Sequence, residues 1–371
     1  MRRIKWCLLV LIIIGSLVAL TYFFFWPSST IEIVRLDALG TKIMSNKVVN
    51  GKLGFPVKKQ SLKLKGYQLV HGEKLRFRHD KYRVKIAYKP IKSTSQVKSS
   101  VSQARYVGVT FQVLNNGLNK RCQNYQNLKS EEDRLRIILS DDGIHWKRLA
   151  TNYPNVAVRD PSIIKIGSKW WIVYTNGAMW TENFRTWHHV YLNYNPNNHF
   201  QKVWAPEFYR LKNGQLYVVA ACSTDGVHFN LYRFQFDSKH GSVSMPEALN
   251  IGNTAHNNLI DPHITTSRDG YVLWAKDETR HYLVRATSKN GVKFTQFKHI
   301  GIKMSSNLIP EGPTTIDENS HTGLLFFDLY NASETFSGVH VVKFRNDELT
   351  TSPIRIRSSF LVRHFGVYRN K

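Results

Sequence analysis

Short apolar runs broken by Asx-Gly or Gly-Ser pairs dominate this chain from about residue 106 onward. Ser162 to Ile166 and Trp170 to Thr175 flank Gly167-Ser168. Glu207 to Leu211 and Gln215 to Ala221 flank Asn213-Gly214, and His263 to Ser267 and Tyr271 to Lys276 flank Asp269-Gly270. Such pairs accept the backbone angles of tight hairpins. No stretch past residue 30 shows the period of a long amphipathic helix. The chain is therefore expected to be all-β, built from consecutive hairpins.

Three acidic motifs stand at the feet of these hairpins: Arg159-Asp160-Pro161, Ile260-Asp261-Pro262 and Pro310-Glu311-Gly312-Pro313. Any one of them reads as a turn. Three on separate, similar segments converge only if the segments are arranged around an axis. A seven-residue pattern, Ser-x-Asp/Asn-Gly-Ile/Val-x-Trp/Phe, recurs at Ser140 to Trp146, Ser223 to Phe229 and Ser288 to Phe294. The second copy follows its hairpin more directly, so it is expected at a different place in its unit. Repeated four-stranded units of about 50 residues suggest a five-bladed β-propeller over 106–371. A β-sandwich explains the strands but not the recurrence.

The N-terminus is of another kind. Met1-Arg2-Arg3-Ile4-Lys5 precedes an uncharged run from Trp6 to Trp26. That run is long enough to span a bilayer as a helix, and it ends in an aromatic belt, Tyr22-Phe23-Phe24-Phe25-Trp26. Residues 1–27 are expected to form a cytoplasmic tip and an uncleaved transmembrane signal-anchor. The chain would then be a single-pass protein of the cell membrane, with all that follows Pro27 extracytoplasmic. A cleaved signal is the alternative.

Between anchor and hairpins lies a basic segment, 28–105. Residues 31–105 carry eighteen Lys and Arg against four Asp and Glu, a large part of the chain's formal +26. Residues 27–60 read as a stalk or loosely packed start. Period-two runs at Ser61–Lys65, Leu75–Arg78 and Tyr82–Ile86 read as half-buried strands with a cationic face. Residues 91–104, rich in Ser, Gln and Lys, read as a linker. Outside a membrane, such a face suits an anionic wall polymer or lipid headgroups, and nucleic acid is not expected. The cysteines, Cys7, Cys122 and Cys222, give no disulfide framework and no metal spacing. Cys122 and Cys222 are the one possible pair, and unpaired thiols are expected.

The segments in order resemble glycoside hydrolase family 43, the five-bladed propeller glycosidases acting on arabinofuranosides and xylosides. The resemblance rests on Ser140 to Trp146, Val158 to Ile164 with Trp170 to Thr175, and Val203-Trp-Ala-Pro-Glu207. It continues through Ile260-Asp-Pro-His263 with Leu273 to Glu278, and Glu311-Gly-Pro313 with Phe326 to Tyr330. Residues 31–105 lie outside it. It implies inverting hydrolysis of an arabinose- or xylose-type linkage in a polysaccharide, with Asp160 as general base, Glu311 as general acid and Asp261 as pKa modulator and orienter. Inversion needs an ionised carboxylate and a protonated one roughly 6.5–9.5 Å apart, with room for a water. Glu207 is a candidate substrate or scaffold contact. Trp204 and Trp180 are candidates for stacking on a sugar, with buried packing as the alternative, and His263 is either a substrate contact or a hydrogen-bonded strand histidine. Arg363-His364-Phe365-Gly366 is similar to a late Arg-His-Gly stretch of some members, with Phe365 inserted. It implies His364 as a channel residue contacting a bound ion. No cofactor is required for the chemistry, and a structural calcium or other ion in the channel is compatible with it. Two other readings remain at this point: a catalytically silent glycan-binding propeller at the cell wall, and a fructan-active retaining enzyme.

Overall fold

A computed structural model describes residues 26–371, apart from 39, 41, 72–73, 114–132, 253–257, 305–307, 318–321, 332–335 and 346–347. The chain divides into two compact units, one ending at Ile91 and the other beginning at Lys92.

The expected membrane location needs correction. Among the described residues no helix is long and apolar enough to cross a membrane. The apolar run, Trp26 excepted, lies outside the described residues. Trp26 itself donates its indole N–H to Leu53 O at 2.8 Å.

The first unit holds a four-stranded sheet in the order Lys47–Lys52, Ser28–Asp37, Lys81–Pro90, Tyr67–Leu69. The two central strands run parallel and the outer pairings are antiparallel. Ile31, Ile33, Ile86 and Tyr88 are buried along the two central strands. Lys81, Arg83, Lys85 and Lys89 alternate with them toward solvent, so this strand of the basic region follows its period of two. Three expectations fail here. Residues 27–60 are not a stalk, because Ser28–Asp37 is a central strand with apolar residues buried at 31 and 33. Ser61-Leu62 closes a short helix, Lys59–Leu62, which buries Leu62 where a strand was expected. Around 75–78 only an isolated bridge, Pro56 to Arg76, forms.

Residues 94–103, expected as linker, form a helix that belongs to the second unit. Its start is fixed by a capping box. Ser93 Oγ accepts from Gln96 N, and the Gln96 side chain accepts from Ser93 N. Val97 and Val101 anchor its inner face.

Among the described residues the second unit has five antiparallel sheets of four or five strands, plus a two-stranded ladder. Their innermost strands are Ser162–Ile166, Lys202–Arg210, Leu259–Ser267, Leu308–Asp317 and Arg363–Arg369. The last pairs antiparallel with Tyr106–Val113, so the C-terminal strand completes the sheet that the N-terminal strand begins. Each innermost strand touches the next in this order, and the fifth touches the first. Five apolar clusters fill the gaps between successive sheets. One packs Val219 and Leu231 of the second sheet on Leu273 and Val284 of the third. Another packs Tyr106 and Ile138 on Phe326 and Val341. The sheets thus follow one another in a closed order, each facing the next across its own core.

The three Ser-x-Asp/Asn-Gly copies make similar turns. Ser140, Ser223 and Ser288 donate Oγ–H to Asp142, Asp225 and Asn290 at 2.9–3.1 Å. The first and third copies close the third strand of a sheet, and the second closes the second strand of its sheet.

Each innermost strand carries the same irregularity at or near its start. Asp160, Ala205, Asp261, Gly312 and His364 have φ of 51°, 45°, 53°, 57° and 27°. The first four are followed by Pro161, Pro206, Pro262 and Pro313, and His364 by Phe365. The ladder register slips at 204/207, 260/263, 311/314 and 363/366. Proline lacks the N–H that a ladder needs and is tolerated at such a bulge. A left-handed backbone costs a side-chain-bearing residue about 1 kcal/mol or more. Ala205 has no polar side chain to offset that cost. Ala205→Gly should therefore raise stability by about 1 kcal/mol, read from urea denaturation. A loss instead would mean that the Ala205 methyl packs for more than its backbone costs.

Candidate active site

The repeated bulge turns one residue of each innermost strand toward a common centre. Asp160, Ala205, Asp261, Gly312 and His364 line one narrow channel together with Ser162, Glu207 and Thr314. Glu311 precedes Gly312, at the position that Arg159, Trp204, Ile260 and Arg363 hold in the other four motifs. Residues separated by some 200 positions thus meet because their strands share one geometry.

The contacts knit neighbouring motifs together. Asp160 Oδ2 accepts from Thr175 Oγ1 at 3.2 Å, and Thr175 Oγ1 accepts from Ala205 N at 3.2 Å. Asp160 Oδ1 lies 3.7 Å from His364 Nδ1. Asp261 Oδ2 accepts from Gly312 N at 3.0 Å, which ties it to the backbone beside Glu311. A Cβ on Gly312 would lie 2.8 Å from His364 Nδ1, so only glycine allows this approach.

Two charged residues that sequence reasoning passed over complete the centre. Asp328 lies opposite Glu311 in the ladder and accepts from His364 N at 2.8 Å. Lys276, with a fully buried side chain, places Nζ 2.5 Å from Glu311 Oε1 and also pairs with Glu278. Both lie in buried, mostly apolar strands, Thr322–Asn331 and Gly270–Asp277. A charge inside such a run was the available signal, because a buried charge must be paired.

Electrostatics separate the carboxyls. Burial would raise Asp160, but His364, Arg159, Arg363 and the Thr175 hydroxyl hold it below the ordinary carboxylate value. Burial pushes Asp261 up to about 6, with Asp160 and Glu311 adding to the rise against His364 and Lys276. Burial pushes Asp328 up to about 7 despite His364 and Arg363. Burial would lower His364, yet Asp160, Asp261, Asp328 and Glu207 outweigh it and raise it. Asp160 is thus kept ionised, while burial favours the protonated forms of Asp261 and Asp328.

Glu207 Oε1 takes the Nδ1–H of His263 at 2.7 Å, and His263 Nε2 accepts from Thr315 N at 3.1 Å. These bonds set the histidine's tautomer and leave Glu207 facing the channel. Trp204 stacks on Phe229 with centroids 4.3 Å apart, packs against an apolar cluster and is not among the channel residues. Trp180 lies on the third strand of its sheet, stacked on His188 at 3.9 Å, and is not among the channel residues. Phe365 packs edge-on against Trp146 and Phe326, filling the place that the prolines take in the other motifs.

His364 lines the channel, but among the described residues no group of three or more His, Cys, Asp or Glu is placed to hold a metal ion. The acids around His364 favour its protonated form. Cys222 is a buried free thiol, and the pairing considered for Cys122 lies outside the described residues.

No protein-family model matches the chain, and no curated protein matches it. Solved structures do. An endo-1,4-beta-xylanase from Bacteroides thetaiotaomicron is 12% identical with a TM-score of 0.46, over 62% of this chain and 89% of that one. An endo-arabinase from the same species is 13% identical with a TM-score of 0.42, over 53% and 81%. A GH43_12 protein retrieved from a capybara gut metagenome is 13% identical with a TM-score of 0.43, over 71% and 65%. The chain is similar to glycoside hydrolase family 43 structures.

Proposed function

We propose that the second unit is a five-bladed β-propeller glycoside hydrolase that cleaves arabinose- or xylose-type linkages, or similar ones, in a polysaccharide with inversion. The observation that carries this reading is that Asp160 and Asp261 line one channel, with Asp261 bonded to the backbone N–H of Gly312, the residue after Glu311. Asp160, held ionised, takes a proton from water as that water attacks the anomeric carbon. Glu311 gives its proton to the leaving oxygen. Asp261, bonded to Gly312 N, orients the acid. Glu207 lines the channel, where it can contact a sugar. The five sheets in closed order, with the C-terminal strand completing the N-terminal sheet, support the propeller reading.

One observation favours a second reading, a silent glycan-binding ring. The Lys276 ammonium lies against Glu311, where the first reading needs a transferable proton. Digesting a panel of arabinan and xylan oligosaccharides with the full chain separates the two. Shortened products found by mass support the hydrolase. Binding without product from any glycan supports the silent ring and contradicts hydrolysis.

The exposed basic row of the first unit, Lys81, Arg83, Lys85 and Lys89, fits an anionic polymer held by charge. Such binding weakens as salt rises.

A further inference from the structure

We propose that Glu278, acting through Lys276, governs whether Glu311 can hold the proton it must donate. This rests on the reading of Glu311 as the acid. The three side chains form a row in which one ammonium serves two carboxylates. Lys276 is wholly buried, so its charge must be balanced at all times. Burial would lower it, and the charges of Glu311 and Glu278 outweigh burial and keep it an ammonium.

A pair of Lys276 and Glu311 alone would leave no freedom. Protonating Glu311 would strand a buried positive charge, which is costly. Glu278 changes this. When Glu311 takes a proton, Glu278 still neutralises Lys276. When Glu311 gives the proton to a leaving oxygen, the ammonium is at hand to receive the new carboxylate. Glu278 sits toward the surface, its side chain about a third exposed, with its backbone N–H bonded to Asn258 O at 2.8 Å. Glu278 is thus a positioning residue for charge and does not itself meet substrate.

The other charges near this row are fixed by their own partners. Asp261 and Asp328 flank Glu311 from neighbouring strands, and both feel its charge. His364 and Arg363 lie beyond Asp328. Asp277, next to Lys276 in sequence, is bound to Arg280 at 2.9 Å. Among the described residues Glu278 is the one further acid in direct ion-pair contact with Lys276.

The test is carbon-13 NMR of glutamate side-chain carboxyls on the full chain, with Glu311→Gln assigning the Glu311 resonance. In Glu278→Gln the Glu311 titration midpoint should move to lower pH by about one unit, the scale that a neighbouring charge imposes. In Lys276→Met it should move the opposite way. If Lys276→Met fails to fold, the partly exposed Glu278→Gln still gives the result. A Glu278→Gln midpoint superimposed on the wild type would overturn the proposal. A pH profile of kcat/KM on a 4-nitrophenyl pentoside should show its basic limb displaced in the same direction. Absence of turnover by the wild type, with the NMR displacement intact, would instead overturn the hydrolase reading and leave the coupling standing.

Discussion

Asp160→Asn and Glu311→Gln should each lower kcat by about 10³-fold, the loss of one acid or base, and leave the melting temperature near that of the wild type. The amides keep the volume and one acceptor of each carboxyl. Asparagine at 160 can still accept from Thr175 Oγ1 through its carbonyl oxygen. It cannot take a proton from water. Glutamine at 311 carries no ionisable proton to donate. The first variant also removes the charge that most raises His364, so the histidine should titrate at lower pH in it. The check is initial rate on an aryl pentoside beside circular dichroism melting. Activity above about a tenth of the wild type in both variants would remove these two residues from the reaction.

Asp328→Asn should make the protein markedly more stable at pH 8 and only slightly more stable at pH 4.5. The sign follows from linkage. Asp328 has a folded-state value of about 7 against an ordinary 3.8, so the fold prefers the protonated acid. Its contribution is fully present below the unfolded value, and it is lost as pH rises toward 7. Above that, a charge stays in the interior at a cost of at most about 4 kcal/mol, taking 1.36 kcal/mol per unit. Asparagine is neutral throughout and keeps an oxygen for the His364 N–H that Asp328 Oδ1 accepts. Asp261, pushed to about 6, adds to the same slope across pH 4 to 6. His364, raised from its ordinary value, also loses its stabilising contribution as pH rises. Asp160 acts in the opposite sense, but only as pH falls below about 4. Calorimetry at pH 4.5 and 8 reads the difference as a gain of several degrees at the higher pH and a slight one at the lower. An equal or lower melting temperature at pH 8 would mean that His364 and Arg363 need the Asp328 charge more than burial disfavours it.

Much of the fold was legible because its turns and bulges demand particular residues. Asn213-Gly214 and Asp269-Gly270 marked hairpins through the backbone angles they permit. Pro161, Pro262 and Pro313 read as turns at the feet of hairpins, where the structure has bulges, because a ladder rejects proline. The fifth bulge was disguised, since Phe365 stands where the others have proline, and the second read as a signature with no visible kinship to the rest. Its central residue is alanine, which carries no chemical hint of a left-handed backbone. Lys276 and Asp328 were hidden for another reason. A period of two tells which face a residue occupies, but in strands buried on both faces it cannot tell which neighbours balance a charge. The helix at 94–103 was missed through composition, although Ser93 and Gln96 carried its cap. In the first unit the strand at 28–37 was taken for a stalk because it directly follows the apolar N-terminal run.

Proton NMR of the first sugar anomer released from an aryl pentoside bears most directly on the meeting of Asp160 and Glu311 across a water. An anomer of opposite configuration to the substrate is expected, since water attacks from the face away from the leaving group. Release with configuration kept would contradict it, because retention requires a carboxylate to bond the sugar itself.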